Sequence, residues 1–156
     1  MKRYLTPIMI TIVLFSCNTN VSDEKNRYEG QVKFNKEAMK LQQQADEAIN
    51  EMTESKYIEA LTLLDKSISL DSSYFMAYAS KASVLVSLKR YNEAIKVLNF
   101  LVNKVKPDYA EGFSFLGLLY DKFGNDDSAN LCYQKAIRIY TDKIKSDSDI
   151  TIMVNM

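Results

Sequence analysis

The 156-residue chain contains no histidine and no tryptophan, only two prolines, four glycines and two cysteines. Without histidine it lacks the commonest general base and the commonest metal ligand. It also lacks an excess of either charge, with 20 basic and 20 acidic residues. Nucleic-acid binders usually carry a basic surface, so that class finds no support. There is no glycine-rich phosphate loop, no cluster of metal ligands and no carboxylate pair flanked by groups that would raise a pKa. Asp126-Asp127 stands at a turn and helix start, where dipole complementation accounts for it. Cys132, between core positions, reads as a small buried hydrophobe. On this reading the chain is not an enzyme and has no metal site and no cofactor. What it does have is 47% hydrophobic residues, enough to pack one modest core.

The first sixteen residues are set apart. Lys2 and Arg3 precede an apolar run, Ile8 to Phe15, interrupted only by Thr11. A mature membrane-crossing helix needs about 20 residues, so the run suits the core of a secretory signal peptide instead. It closes on Leu14-Phe15-Ser16-Cys17. This resembles the bacterial lipoprotein signal, and the resemblance implies removal of residues 1–16 and lipidation of Cys17 with acyl chains such as palmitate. Each buried methylene would contribute ~0.8 kcal/mol to membrane attachment. Asn18, in place of aspartate, resembles the sorting signal for the outer membrane, and Ser22-Asp23-Glu24-Lys25 resembles the export signal of some surface lipoproteins. The competing reading is an ordinary signal peptide with a chance cysteine. With Cys17 lipidated, Cys132 is left alone and no internal disulfide can form. Residues 17–31 then comprise the lipidated cysteine and a polar tether, whose fourteen residues from Asn18 to Gln31 would span roughly 20 Å.

The body of the chain, residues 32–145, is periodic. Tyr57 and Ala60 recur 34 positions later as Tyr91 and Ala94, and Ala129 follows Ala94 by 35. A period near 34 with two helices per unit indicates a helical solenoid. The units cover about 41–74, 75–108 and 110–143. The third places Phe113, Leu116, Gly117, Tyr120, Gly124, Ala129, Tyr133 and Ala136 in order, and the second offers Tyr78, Ala82, Leu85, Tyr91, Ala94 and Leu98. The first is worn, with Gln44, Glu47 and Glu51 where apolar residues are expected. These residues resemble the tetratricopeptide repeat family, whose eight core positions the third unit fills. The resemblance implies an all-α, TPR-like helical solenoid of three helix pairs plus an N-terminal extension. Antiparallel helices approach closely only where small residues sit, and Ala60, Ala82, Ala94, Gly117, Ala129 and Ala136 supply them.

Apolar spacing predicts a first helix from Gln31 to about Thr53, with Met52 in its stripe, and a second over Lys56 to Leu70. A third over Tyr74 to Leu88 follows a Ser72-Ser73 start signal, and a fourth covers Tyr91 to about Val105. Asp108 and Glu111 have capping-box spacing at the start of the fifth, and Gly124-Asn125 closes it. The sixth runs from Asp126 to about Lys145. Gly112, early in the fifth helix, is unexplained and should cost ~1 kcal/mol relative to alanine. Residues 146–156 form a tail, polar and then apolar, that either opens a partial fourth repeat or docks as a cap.

In this family the first helices of the pairs line a concave groove. The resemblance carries that role to Gln42, Ala45, Ile49 and Met52, to Met76, Ala79, Ser83 and Val86, and to Glu111, Ser114, Leu118 and Asp121. The competing reading is that these residues pack on neighbouring repeats. The middle set is small and apolar, which suits a short apolar or helical peptide better than an acidic tail, and the family's basic clamp for C-terminal carboxylates is absent. Residues 41–74 hold seven acids against two lysines, and residues 75–108 six basic residues against two acids. Attraction between neighbouring repeats or plain solvation explains that asymmetry, and the competing reading is a basic docking patch.

The expectation is an outer-membrane lipoprotein, on the periplasmic face or the cell surface, acting as a non-catalytic adaptor for another envelope protein or peptide. Its partners would be that protein and the membrane, through its lipid, but no nucleic acid. The alternatives are capture of a glycan or small ligand, for which ten tyrosines offer stacking, and a degenerate remnant.

Overall fold

The computed structural model describes residues 33–154. The expected signal sequence, Cys17 and the expected tether to Gln31 lie outside the described residues. Six helices follow: α1 Lys36–Asn50, α2 Glu54–Leu70, α3 Phe75–Ser87, α4 Tyr91–Phe100, α5 Ala110–Lys122 and α6 Asp126–Val154. A π-helical turn, Leu101–Val105, continues α4. The helices pair as α1–α2, α3–α4 and α5–α6, and α3 packs on both helices of the first pair. The result is an all-α, TPR-like solenoid, in which α1, α3 and α5 are the inner helices and α2, α4 and α6 the outer ones.

The small residues stand where the helices meet. Ala60, Ala82 and Ala94 are fully buried, and Ala129 and Ala136 nearly so. At Gly117 an added methyl would lie 2.6 Å from the Tyr133 ring. Gly112, opaque from sequence, has the same cause: a Cβ there would meet Tyr109 at 2.6 Å and Val102 at 2.8 Å. Leu64, Leu85, Leu98, Leu101 and Leu116 fill the space between, each side chain contributing ~1.5–3 kcal/mol. Ser67 is the buried polar member of this core. Its hydroxyl donates to the Ala38 carbonyl at 2.7 Å, tying α2 to α1. An aromatic series links the starts of the inner helices, with Phe34 4.9 Å from Tyr74 and Phe75 5.1 Å from Tyr109.

Each hairpin turns on one left-handed residue: Met52 at φ 54°, Lys89 at φ 59° and Gly124 at φ 69°. These are 37 and 35 positions apart, which resolves the worn first repeat. Its turn comes three residues earlier than a strict 34-residue period requires. Leu41, Ala45 and Ala48 then correspond to Tyr78, Ala82 and Leu85, and to Phe113, Gly117 and Tyr120. The polar Gln44, Glu47 and Glu51 are exposed and were never core positions. The shift is absorbed by α2, which starts at Glu54 behind the Thr53 cap.

Three further boundaries differ from expectation. Helix α5 begins at Ala110 with no side-chain cap, and Asp108 instead pairs with Lys106 at 2.9 Å. The nearby ammonium outcompetes the helix N–H groups for that carboxylate. Helix α3 likewise has no side-chain cap; Ser73 is engaged by Asp71, which accepts from both its N–H and its hydroxyl. Helix α6 does not stop near Lys145 but continues to Val154. No proline or glycine interrupts that stretch, and the backbone of residues 146–154 continues the last helix.

Candidate functional site: the inner-helix groove

The corrected register re-forms the groove stripe on α1. Met39, Gln42, Asp46 and Ile49 are spaced by three, four and three residues, and all four are half-buried. They correspond to Met76, Ala79, Ser83 and Val86 on α3, and to Glu111, Ser114, Leu118 and Asp121 on α5. Two of the sequence expectations for α1 are therefore corrected. Ala45 is fully buried in the core. Met52 is not on the helix: α1 ends at Asn50, and Met52 is the left-handed turn residue, 78% exposed. Met39 and Asp46 replace them. The sequence signal for this was Thr53, a good N-cap followed at once by acidic Glu54, which places the turn before residue 53.

The α1–α3 wall is held by a polar network. The Tyr74 hydroxyl lies 3.0 Å from Gln42 Oε1 and donates to it. Gln42 Nε2 donates to Asp46 Oδ2, and Ser80 Oγ donates to Asp46 Oδ1 at 3.2 Å. Burial raises the Asp46 carboxyl above its usual range, against the lowering effect of the Ser80 and Gln42 hydrogen bonds. Met76 Sδ lies 3.6 Å from the Tyr74 hydroxyl, and Met76 remains largely exposed. Methionines at such a surface adapt to varied apolar side chains.

Along α3 the stripe is small and open: Ala79 and Val86 are half-buried and Ser83 is exposed. On α5, Glu111 and Asp121 are exposed, Ser114 is half-buried and Leu118 is 59% exposed. Tyr140 of α6 sits against Glu111 and Ser114, and loss of solvent with the Glu111 charge raises its phenol. Cys132 is buried and free, and burial raises its thiol. Among the described residues, no three His, Cys, Asp or Glu side chains come together to hold a metal ion. No helix among them is long and apolar enough to cross a membrane. The surface therefore offers shape, apolar contact and fixed hydrogen-bonding groups.

Known proteins resemble this chain in repeat sequence and in fold. The tetratricopeptide repeat family model matches residues 77–99 and 110–143. A TPR repeat-containing protein of Methanocaldococcus jannaschii is 33% identical over 82 residues, which is 53% of this chain and 25% of that protein. Among solved structures, MamA (41-end) from Desulfovibrio magneticus RS-1 is 29% identical with a TM-score of 0.55, over 79% of this chain and 64% of that one. The second TPR of Spaghetti, bound to the HSP90 peptide SRMEEVD, shares the fold at 16% identity and a TM-score of 0.60, over 76% of this chain and 99% of that one. The chain thus spans a quarter of the curated relative and under two thirds of MamA. Domains of this kind are interaction modules and not catalysts. The second and third hairpins thus match the tetratricopeptide repeat family in sequence, and the three hairpins together share its solenoid fold.

Proposed function

We propose that the chain is an adaptor held at the outer membrane by a lipidated Cys17, with its inner-helix groove taking a short apolar or helical segment of another envelope protein. The observation that carries the groove half is the stripe itself. Met39, Ile49, Met76 and Val86 present adaptable apolar surface around the small Ala79 and Ser83, leaving room for side chains of an occupant. Helix-in-groove recognition uses such apolar anchors at helical spacing. Spaghetti's peptide SRMEEVD is acidic, whereas no lysine or arginine occupies a groove position of this chain. Support for the anchor half is the Lys2-Arg3 start, the apolar run and the Leu14-to-Cys17 ending.

The two halves are tested separately. A photo-crosslinking residue at Ser83 should yield a discrete adduct in cells, and the same residue at the outer-helix position Lys96 should not. Equal adducts from both positions would refute groove binding. Metabolic labelling with palmitate should mark the wild type and not Cys17→Ser, and an unlabelled wild type would refute the anchor. Glycan capture is less well supported, because no tyrosine lies on the groove stripe and Tyr91 is packed against Phe123 at 5.5 Å. The degenerate-remnant reading loses one of its two supports, since the first repeat regains its core positions once its turn is placed at Met52.

A further inference from the structure

We infer that the segment taken by the groove carries lysine or arginine on both sides of its apolar stretch; this rests on the groove reading above and adds the charge of the partner. Asp46 on α1 and Glu111 and Asp121 on α5 put carboxylates on both sides of the small, apolar α3 stripe. The cations of the middle and last inner helices are committed elsewhere. Lys81 pairs with Asp65 on α2, and Lys122 lies over the Tyr91 ring at 5.1 Å. Lys36 and Lys40 of α1 fall outside its half-buried stripe.

Asp46 is the most informative of the three. It is half-buried, and its two hydrogen bonds come from neutral groups, the Gln42 amide and the Ser80 hydroxyl. Neutral donors orient a carboxylate without cancelling its charge. None of the six ion pairs among the described residues involves Asp46, Glu111 or Asp121. An arriving ammonium or guanidinium would form charge-assisted bonds with them, roughly twice as strong as neutral ones. An acidic segment would set like charge against all three and be rejected.

The test pans a phage-displayed library of random dodecapeptides on the wild-type chain, on Ser83→Arg and on the double variant D46N/D121N, with circular dichroism confirming that each is folded. Peptides enriched on the wild type should show Lys plus Arg exceeding Asp plus Glu relative to the input library. Ser83→Arg should recover at least fivefold fewer, and the double variant should lose the basic excess. A synthetic enriched peptide should bind about tenfold more weakly at high salt than at low salt, as screening of exposed charges requires. Enriched peptides that are neutral or acidic, yet lost on Ser83→Arg, would overturn the charge inference and leave the groove intact. Enrichment indifferent to Ser83→Arg, or no enrichment, would overturn the groove reading and this inference with it.

Discussion

Gly117 and Gly112 are places where one methyl group decides whether two helices can meet. Alanine is the better helix former by about 1 kcal/mol, so propensity alone favours substitution at both. The Tyr133 ring 2.6 Å from the Gly117 site, and Tyr109 and Val102 beside Gly112, oppose it. Gly117→Ala and Gly112→Ala should each destabilise by ~1–3 kcal/mol, the usual cost of overpacking, read from denaturant midpoints at constant slope. Gly117 was legible in the sequence because it falls on the repeat. Gly112 was not, because its tight contacts depend on how α5 seats against the end of the preceding outer helix. Acid response also belongs at this scale. Asp71 accepts from the Ser73 hydroxyl and the Asn35 N–H, which hold its carboxyl below the usual range. A carboxylate with a lowered folded pKa contributes stability above its unfolded value of ~3.9, and this is lost as pH falls through the folded value. Asp71→Asn should be less stable than wild type at pH 6, and the two melting temperatures should converge near pH 3. Asp46 has the opposite sign: its raised pKa favours the fold at low pH, and that contribution fades as pH rises through it.

At the scale of elements, the three left-handed turns and the π-helical turn set the phase of the stack. Lys89 carries a side chain at φ 59°, a conformation that costs L-residues ~1–2 kcal/mol. Glycine relieves that strain but has more freedom to lose on folding, so Lys89→Gly should gain a net ~0.5–1 kcal/mol, measured by thermal melting. The sequence showed a glycine turn only at Gly124; Met52 and Lys89 gave no such signal, because tertiary packing holds them left-handed against their own preference. The thirty-fifth residue of the second unit was visible in the 35-position step from Ala94 to Ala129. Its location was not. The structure places it in Leu101–Val105, where the Lys106 N–H reaches back to the Leu101 carbonyl at 2.8 Å. Deleting the exposed Asn103 should convert that turn to ordinary α-helix and leave a cooperative melt. Deleting the equally exposed Lys96 should rotate Leu98, Leu101 and Val102 out of the core and abolish cooperativity.

At the scale of the whole fold, the last hairpin is the uncovered one among the described residues. Ile137, Tyr140 and Ile144 of α6 are exposed, whereas Val102, Val105 and Tyr109, 35 positions earlier, are buried or half-buried in the core cluster with α5 residues. The same repeat position is therefore core in one unit and surface in the next. Ile137→Lys with Ile144→Lys should change stability by no more than ~0.5 kcal/mol. Val102→Lys should cost several kcal/mol, because it buries an unpaired charge; chemical denaturation of both separates the two cases. Periodicity made the fold readable, but it misassigned two of four groove positions on α1, since one early turn moves every residue before it by nearly a full helical turn. On α3 and α5 the expected positions stand on the inner helices with the spacing anticipated.

The wide turn ending α4 acts as an expansion joint. It stores a surplus residue inside a rod, so the connector to α5 keeps its length and the next unit keeps its bearing. Gain or loss of a single codon there would be silent to everything downstream, which makes this seam the natural place to splice in hairpins from another stack.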